Sequence, residues 1–198
     1  MPKSPFRVLL VEDNPLEVML VRAWLLGREG VPVPDPERSP FDVTHAGCLA
    51  DAMSLLQSER FDAAVLDLGL PDSTGLRTAE TVRRAFPELP VVVLTGAEDG
   101  RIAVEALQMG IQDFLFKGHT DGPQLDRAVR FAAERIQGVA ALRASQQMLQ
   151  SALDALPGHI AILDGAGSIL AVNAAWQRAP ATRHALGACY DVGANFRL

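Results

Sequence analysis

One stretch, Ala63-Ala64-Val65-Leu66-Asp67-Leu68-Gly69-Leu70-Pro71, constrains the fold more than anything else in the 198 residues. Four apolar residues without alternation read as a strand buried on both faces, the situation of a parallel sheet. The run ends in a carboxylate, after which Gly69 and Pro71 break strand pairing and open a loop. Open α/β sheets place their chemistry at the carboxyl ends of their strands. Three more apolar runs end in reactive groups: Val8-Leu9-Leu10-Val11 in Glu12-Asp13, Val91-Val92-Val93-Leu94 in Thr95, and Phe114-Leu115-Phe116 in Lys117. Three acids, a hydroxyl and an ammonium are thereby expected on one rim.

Helical patterns separate these strands. Asn14-Pro15 supplies a cap and a first-turn proline, Leu16, Met19, Leu20, Ala23 and Trp24 recur at helical spacing, and Gly27 is placed to end the helix. Pro32, Pro34, Pro36 and Pro40 mark residues 28–40 as an extended loop at the amino-terminal edge of the sheet, away from the acids. Phe41 to Ala46 reads as a second strand, and Cys48 to Gln57 as a helix with Leu49, Ala52, Met53 and Leu56 inward. Further helices are expected over Thr74 to Phe86 and over Asp99 to Met109, the latter ending at Gly110. Five strands alternating with helices specify an α/β fold, a parallel sheet covered on both faces.

The pattern changes at Pro123. Leu125, Val129, Ala132, Ile136, Val139, Leu142, Gln146, Leu149, Leu153 and Leu156 follow at spacings of three and four. That stripe is longer than a terminal helix needs and reads as a coiled-coil seam, with a three-residue stammer between Val139 and Leu142 beside Gly138. The other reading is one amphipathic helix packed on its own domain. Two short strands follow, Ile160 to Leu163 and Ser168 to Val172, joined around Asp164-Gly165, and Asn173 is placed to cap a helical turn. A lone hairpin is marginal in water, so this piece is expected to begin a domain truncated at Leu198.

Composition narrows the function. A net charge of −6 without a basic stripe argues against nucleic-acid binding. No apolar run approaches the roughly 20 residues of a membrane span, and the two cysteines, Cys48 and Cys189, read as reduced thiols of a cytoplasmic protein. His159, His184 and Cys189 lack metal-ligand spacing. On the rim, Glu12, Asp13 and Asp67 form a hard-oxygen cluster suited to Mg²⁺. Without a cation the acids would repel and at least one pKa would rise. Asp67 is the natural nucleophile toward phosphorus, with Thr95 and Lys117 contacting the other phosphoryl oxygens.

The set Glu12-Asp13, Asp67 with Pro71 and Gly75 after it, Thr95 and Lys117 resembles the receiver domain of two-component response regulators, over about residues 5–137. The resemblance implies a doubly wound, flavodoxin-like sheet of order 2-1-3-4-5 and phosphorylation of Asp67 by a sensor histidine kinase or phosphotransfer protein. It also implies Mg²⁺ held by Asp13, Asp67 and the Gly69 carbonyl with Glu12 nearby, and Phe114 as an aromatic switch moving with Thr95. Four positions depart from the family pattern. Gly96 follows Thr95 where alanine or serine is usual. Gly118 replaces the proline after Lys117, which puts the usual cis peptide in doubt. Gly69 and Ala97 offer no side chain to steer an attacking water. Residues 149–198 resemble the start of a PAS domain. The expected organisation is a receiver at 5–137, a signalling helix at 138–155 and a partial α+β PAS segment at 156–198. Pairing along residues 123–156 would make a homodimer. The chain is expected to be a phosphoacceptor and not an enzyme. The alternatives are a receiver that acts unphosphorylated as an interaction module, and an aspartyl-nucleophile phosphatase. The phosphatase would need a second aspartate at position 69 as its general acid.

Overall fold

The computed structural model describes residues 4–26, 41–96 and 100–178. The expectations for Gly27, the 28–40 loop, Ala97, the start of a helix at Asp99, His184, Cys189 and the segment past residue 178 lie outside these. The described residues form two compact units that divide between Gly138 and Val139.

In the first unit, β1 (Phe6–Val11), β2 (Phe41–Ala46), β3 (Ala63–Leu66), β6 (Val91–Thr95) and β7 (Asp113–Phe116) make a five-stranded sheet, every pairing parallel. Its order, β2-β1-β3-β6-β7, is the expected one once β4 (Gly69–Leu70) and β5 (Ser73–Thr74) are counted. Those two strands form a small antiparallel ladder of their own. Gly69 to Ser73 are expected as loop and Thr74 as the start of a helix; instead Thr74 pairs with Gly69, the helix begins at Leu76, and the Gly75 N–H donates to the Leu68 carbonyl (2.8 Å).

Side chains alternate across a strand, and here both faces are covered. Leu9, Val11, Ala64, Leu66, Val91 and Val93 pack with α2 (Leu49–Ser58), α3 (Leu76–Ala85) and α4 (Gly100–Gln108). Val8, Leu10, Ala63, Val65, Val92 and Leu94 pack with α1 (Pro15–Leu26) and the first turns of α5 (Gly122–Ala155). Two-sided burial is why these strands carry no polar alternation. Helix α2 buries Ala52 and Leu56 with Leu49 and Met53 against the same cluster, as expected, and Cys48 caps it. Helix α4 gives way to Gly110, whose φ of 86° only glycine adopts without strain.

Helix α1 shows a different inner face from the expected stripe. Val18, Val21 and Leu25 are buried, whereas Leu16, Met19 and Leu20 are 75%, 67% and 45% exposed. Apart from Glu17 and Arg22, every side chain in the helix is apolar, so two stripes satisfy helical spacing equally well. Spacing alone does not choose between them.

Helix α5 is continuous over 34 residues and runs through Gly138. Leu125, Val129 and Ala132 are buried in the receiver core, while Val139, Leu142, Leu149 and Leu156 are exposed. In the second unit, β8 (Ala161–Leu163) and β9 (Ile169–Val172) form the antiparallel hairpin. Its turn is held by Asp164 Oδ1, which accepts from the N–H groups of Ala166 (2.9 Å) and Ser168 (2.8 Å), with Gly167 at φ 84°. Asn173 caps α6 (Ala174–Gln177) through the Trp176 N–H (3.0 Å).

Candidate functional site

The strand ends meet as the pattern requires. The Glu12 N–H donates to the Ala46 carbonyl (3.0 Å), its own carbonyl accepts from His45 Nε2 (2.7 Å), and the Asp67 N–H donates to the Val11 carbonyl (2.9 Å). The two main-chain bonds continue the β2-β1-β3 ladder one residue past the strands and bring the acids side by side, and the His45 side chain braces the Glu12 main chain. One carboxylate oxygen from each of Glu12, Asp13 and Asp67 lies within 4.8 Å of the others. Glu12 and Asp67 are buried and Asp13 is exposed. A Cβ on Gly69 would sit 3.3 Å from Asp67 Oδ2, so the Gly69 backbone comes close to that carboxylate.

Lys117 reaches the acids from the far end of the sheet. Its Nζ lies 2.6 Å from Glu12 Oε2, 3.1 Å from Glu17 Oε2 and 3.4 Å from Asp67 Oδ2. Burial pushes the Glu12 carboxyl pKa above its ordinary value, against the hydrogen bonds from Lys117 and the Asn14 N–H. Burial works against the Lys117 ammonium too. The hydrogen bond to Glu12, the fields of Asp67 and Glu12 and the bond to Glu17 outweigh it, and its pKa ends above the usual lysine value.

Thr95, buried at the end of β6, pairs in register with Phe116, the residue before Lys117. Phe114 is buried in the α2–α3–α4 cluster, its ring edge-on to Phe116 with centroids 5.3 Å apart. The Lys117–Gly118 peptide is trans. The structure thus brings Glu12, Asp13, Asp67, Gly69 and Lys117 together at one rim and sets Thr95 and Phe114 on the adjoining strands.

Three contributors carry no signal in the motif set. Glu17 joins Lys117 from the first turn of α1. His45 holds the Glu12 carbonyl. Asp72, in the loop after Asp67, accepts from the N–H groups of Leu49 and Ala50 (both 2.9 Å) and so ties that loop to the start of α2. Those two backbone bonds hold the Asp72 carboxyl pKa below the usual range. Glu17 alone had a local cue, since one turn past Asp13 a side chain still faces the rim.

The family model of the response regulator receiver domain matches residues 8–130. The chain belongs to the response regulator receiver family. Similar curated proteins include the probable C4-dicarboxylate response regulator DctR of Bacillus subtilis, 26% identical over 156 residues, covering 79% of this chain and 63% of DctR. The luminescence regulatory protein LuxO of Vibrio campbellii is 37% identical over 110 residues, covering 54% of this chain and 21% of LuxO. The chain thus spans less than two thirds of either relative. Among solved structures, the receiver domain of a putative LuxO repressor protein from Vibrio parahaemolyticus superposes with a TM-score of 0.58 at 24% identity. That match covers 71% of this chain and 98% of the other, and it supports the receiver fold. Receiver domains bind Mg²⁺ at an acidic pocket, and the Glu12-Asp13-Asp67 cluster lies where this one has its acids. No described helix is long and apolar enough to cross a membrane.

Proposed function

We propose that Asp67 accepts a phosphoryl group from a phosphohistidine on a sensor kinase or phosphotransfer protein. The observation that carries this reading is Lys117 Nζ, placed 105 and 50 residues from its partners in sequence and within ion-pair distance of Glu12 and Asp67. A structural ion pair has no need of two further carboxylates, Asp13 and Glu17, around the same rim. Crowded acids with one ammonium suit a site that awaits a cation and then an anion. Glu12, Asp13, Asp67 and the Gly69 carbonyl would hold Mg²⁺, whose chemistry here is to neutralise the acids and draw in a phosphoryl oxygen.

An Asp67 carboxylate oxygen attacks phosphorus. The new O–P bond forms as the P–N bond to histidine breaks, and the leaving imidazole nitrogen keeps the electron pair and takes up a proton. Lys117 and Thr95 then contact the phosphoryl oxygens, and Phe114 responds to the movement of Thr95. The partner's helices approach over Leu16, Met19 and Leu20, which flank Glu17 on the exposed side of α1. The receiver unit at 5–137 passes its state along the 138–155 helix to a PAS-like segment at 156–198. A second copy covers the exposed stripe of α5 from Val139 to Leu149 and Leu156 just past its end.

Intact mass after incubation with Mg²⁺ and acetyl phosphate tests the acceptor, beside Asp67→Ala. One added phosphoryl group that needs both Mg²⁺ and Asp67 is expected. No adduct, together with no binding of Mg²⁺-fluoroberyllate, would overturn the reading.

A further inference from the structure

Helix α1 brings to the rim a carboxylate that lies outside the receiver motif set. Only two of its side chains are charged. Arg22 donates to the Val43 carbonyl (3.1 Å) and leaves Glu17, whose Oε2 is 3.1 Å from Lys117 Nζ. An ammonium has three donor hydrogens. Glu12 and Glu17 lie closest to it, at 2.6 and 3.1 Å, and Asp67 is farther off at 3.4 Å, whereas a phosphoryl oxygen on Asp67 requires the ammonium to turn toward it.

The three acids differ in how readily they release the lysine. The Glu12 side chain is 2% exposed and its other oxygen accepts from the Asn14 N–H (3.0 Å), so losing Lys117 would strand a buried charge. Asp67 is the phosphorylated group itself. Glu17 is 29% exposed, the most open of the three, and water can replace the ammonium there. We infer that Glu17 is a positioning residue. It holds Lys117 in the unphosphorylated protein and competes with the phosphoryl group for it, lowering the affinity of the site for that group. The inference rests on Asp67 being the acceptor.

The test is calorimetric affinity of the full chain for fluoroberyllate at saturating Mg²⁺, comparing wild type with Glu17→Gln and Glu17→Asp. Asp keeps the charge but is one methylene too short for the 3.1 Å contact. Both variants are expected to bind about two- to fivefold more tightly, the scale of a partly exposed ion pair. Unchanged affinity in both variants would overturn the inference. So would tighter binding by Glu17→Gln alone, because the acid would then act through its charge and not through the contact. Wild-type protein that neither binds fluoroberyllate nor forms the phosphoryl adduct would instead remove the acceptor reading, and this inference with it.

Discussion

Replacing Asp13 by Asn should move stability in opposite directions with and without Mg²⁺. The side chain is exposed and nearly isosteric with its replacement, so the change is one of charge. Its carboxylate oxygen lies within 4.8 Å of oxygens of both Glu12 and Asp67. At that separation, in a water-like dielectric, each repulsion is about 0.9 kcal/mol. Screening at a Debye length of about 8–10 Å trims both repulsions, and the field of Lys117, which is bound to Glu12 and Asp67, opposes them. A net gain of about 1 kcal/mol in the metal-free protein follows, which for a domain of this size is roughly 3–5 °C in Tm. Mg²⁺ at 100 times its Kd stabilises the wild type by about 2.7 kcal/mol, whereas Asp13→Asn has lost a ligand and responds weakly. Thermal unfolding followed by circular dichroism, in EDTA and in MgCl₂ at matched ionic strength, should therefore show the order of the two proteins reversing. In 1 M salt the EDTA difference should collapse, as the Debye length falls to about 3 Å. If Asp13→Asn melts below wild type in EDTA, or if Mg²⁺ raises both equally, the acids do not form the repulsive metal site argued above.

Asn173→Ala should unfold the second unit selectively. The buried amide accepts from the N–H groups of Ile160 and Trp176 (both 3.0 Å) and donates to the Gly158 carbonyl (2.8 Å), so removing it strands backbone groups at about 1–3 kcal/mol each. Hydrogen exchange read by mass spectrometry should lose protection over residues 156–178 and keep it in the five-stranded sheet. The raised Glu12 pKa also has a fixed sign. A carboxyl that binds its proton more tightly when folded contributes stability below the unfolded pKa, near 4.5, and loses it as pH rises through the folded value. Urea midpoints of the metal-free protein should carry this fall above pH 4.5, and Glu12→Gln should lack it.

The parts legible in the sequence were those whose physics is local. Runs such as Val91 to Leu94 and Ala63 to Leu66 are apolar because the sheet is covered on both faces, and that condition alone dictates parallel strands with helices between them. The rim residues were legible because each ends such a run. The inner face of α1 was not, because nearly every residue there is apolar and the choice belongs to the sheet beneath it. Asp72 was not legible either, since its partners Leu49 and Ala50 lie more than 20 residues back, at the start of a helix. Glu17 had a local cue for facing the rim but none for its partner, since a first-turn glutamate reads from sequence as a complement to the helix dipole and the lysine it meets is 100 residues on.

The attachment of that lysine bears on how the contact is released. Lys117 opens the single 3₁₀ turn, Lys117–His119, between β7 and α5, and Thr120 Oγ1 closes the segment onto the Phe116 carbonyl (2.8 Å). Glu17 sits on α1, and α1 and α5 touch where Gly122 meets Trp24. A Cβ added to Gly122 would lie 3.3 Å from that of Trp24, so the first turn of α5 is packed against α1 with no slack. The two ends of the Glu17–Lys117 pair therefore hang from elements already fixed to each other. Neither helix can slide to restore the contact when the glutamate is shortened, and this is why Glu17→Asp is expected to behave like Glu17→Gln. For the same reason the wild-type contact is expected to open by rotation of the two side chains, leaving the packing of Trp24 on Gly122 intact.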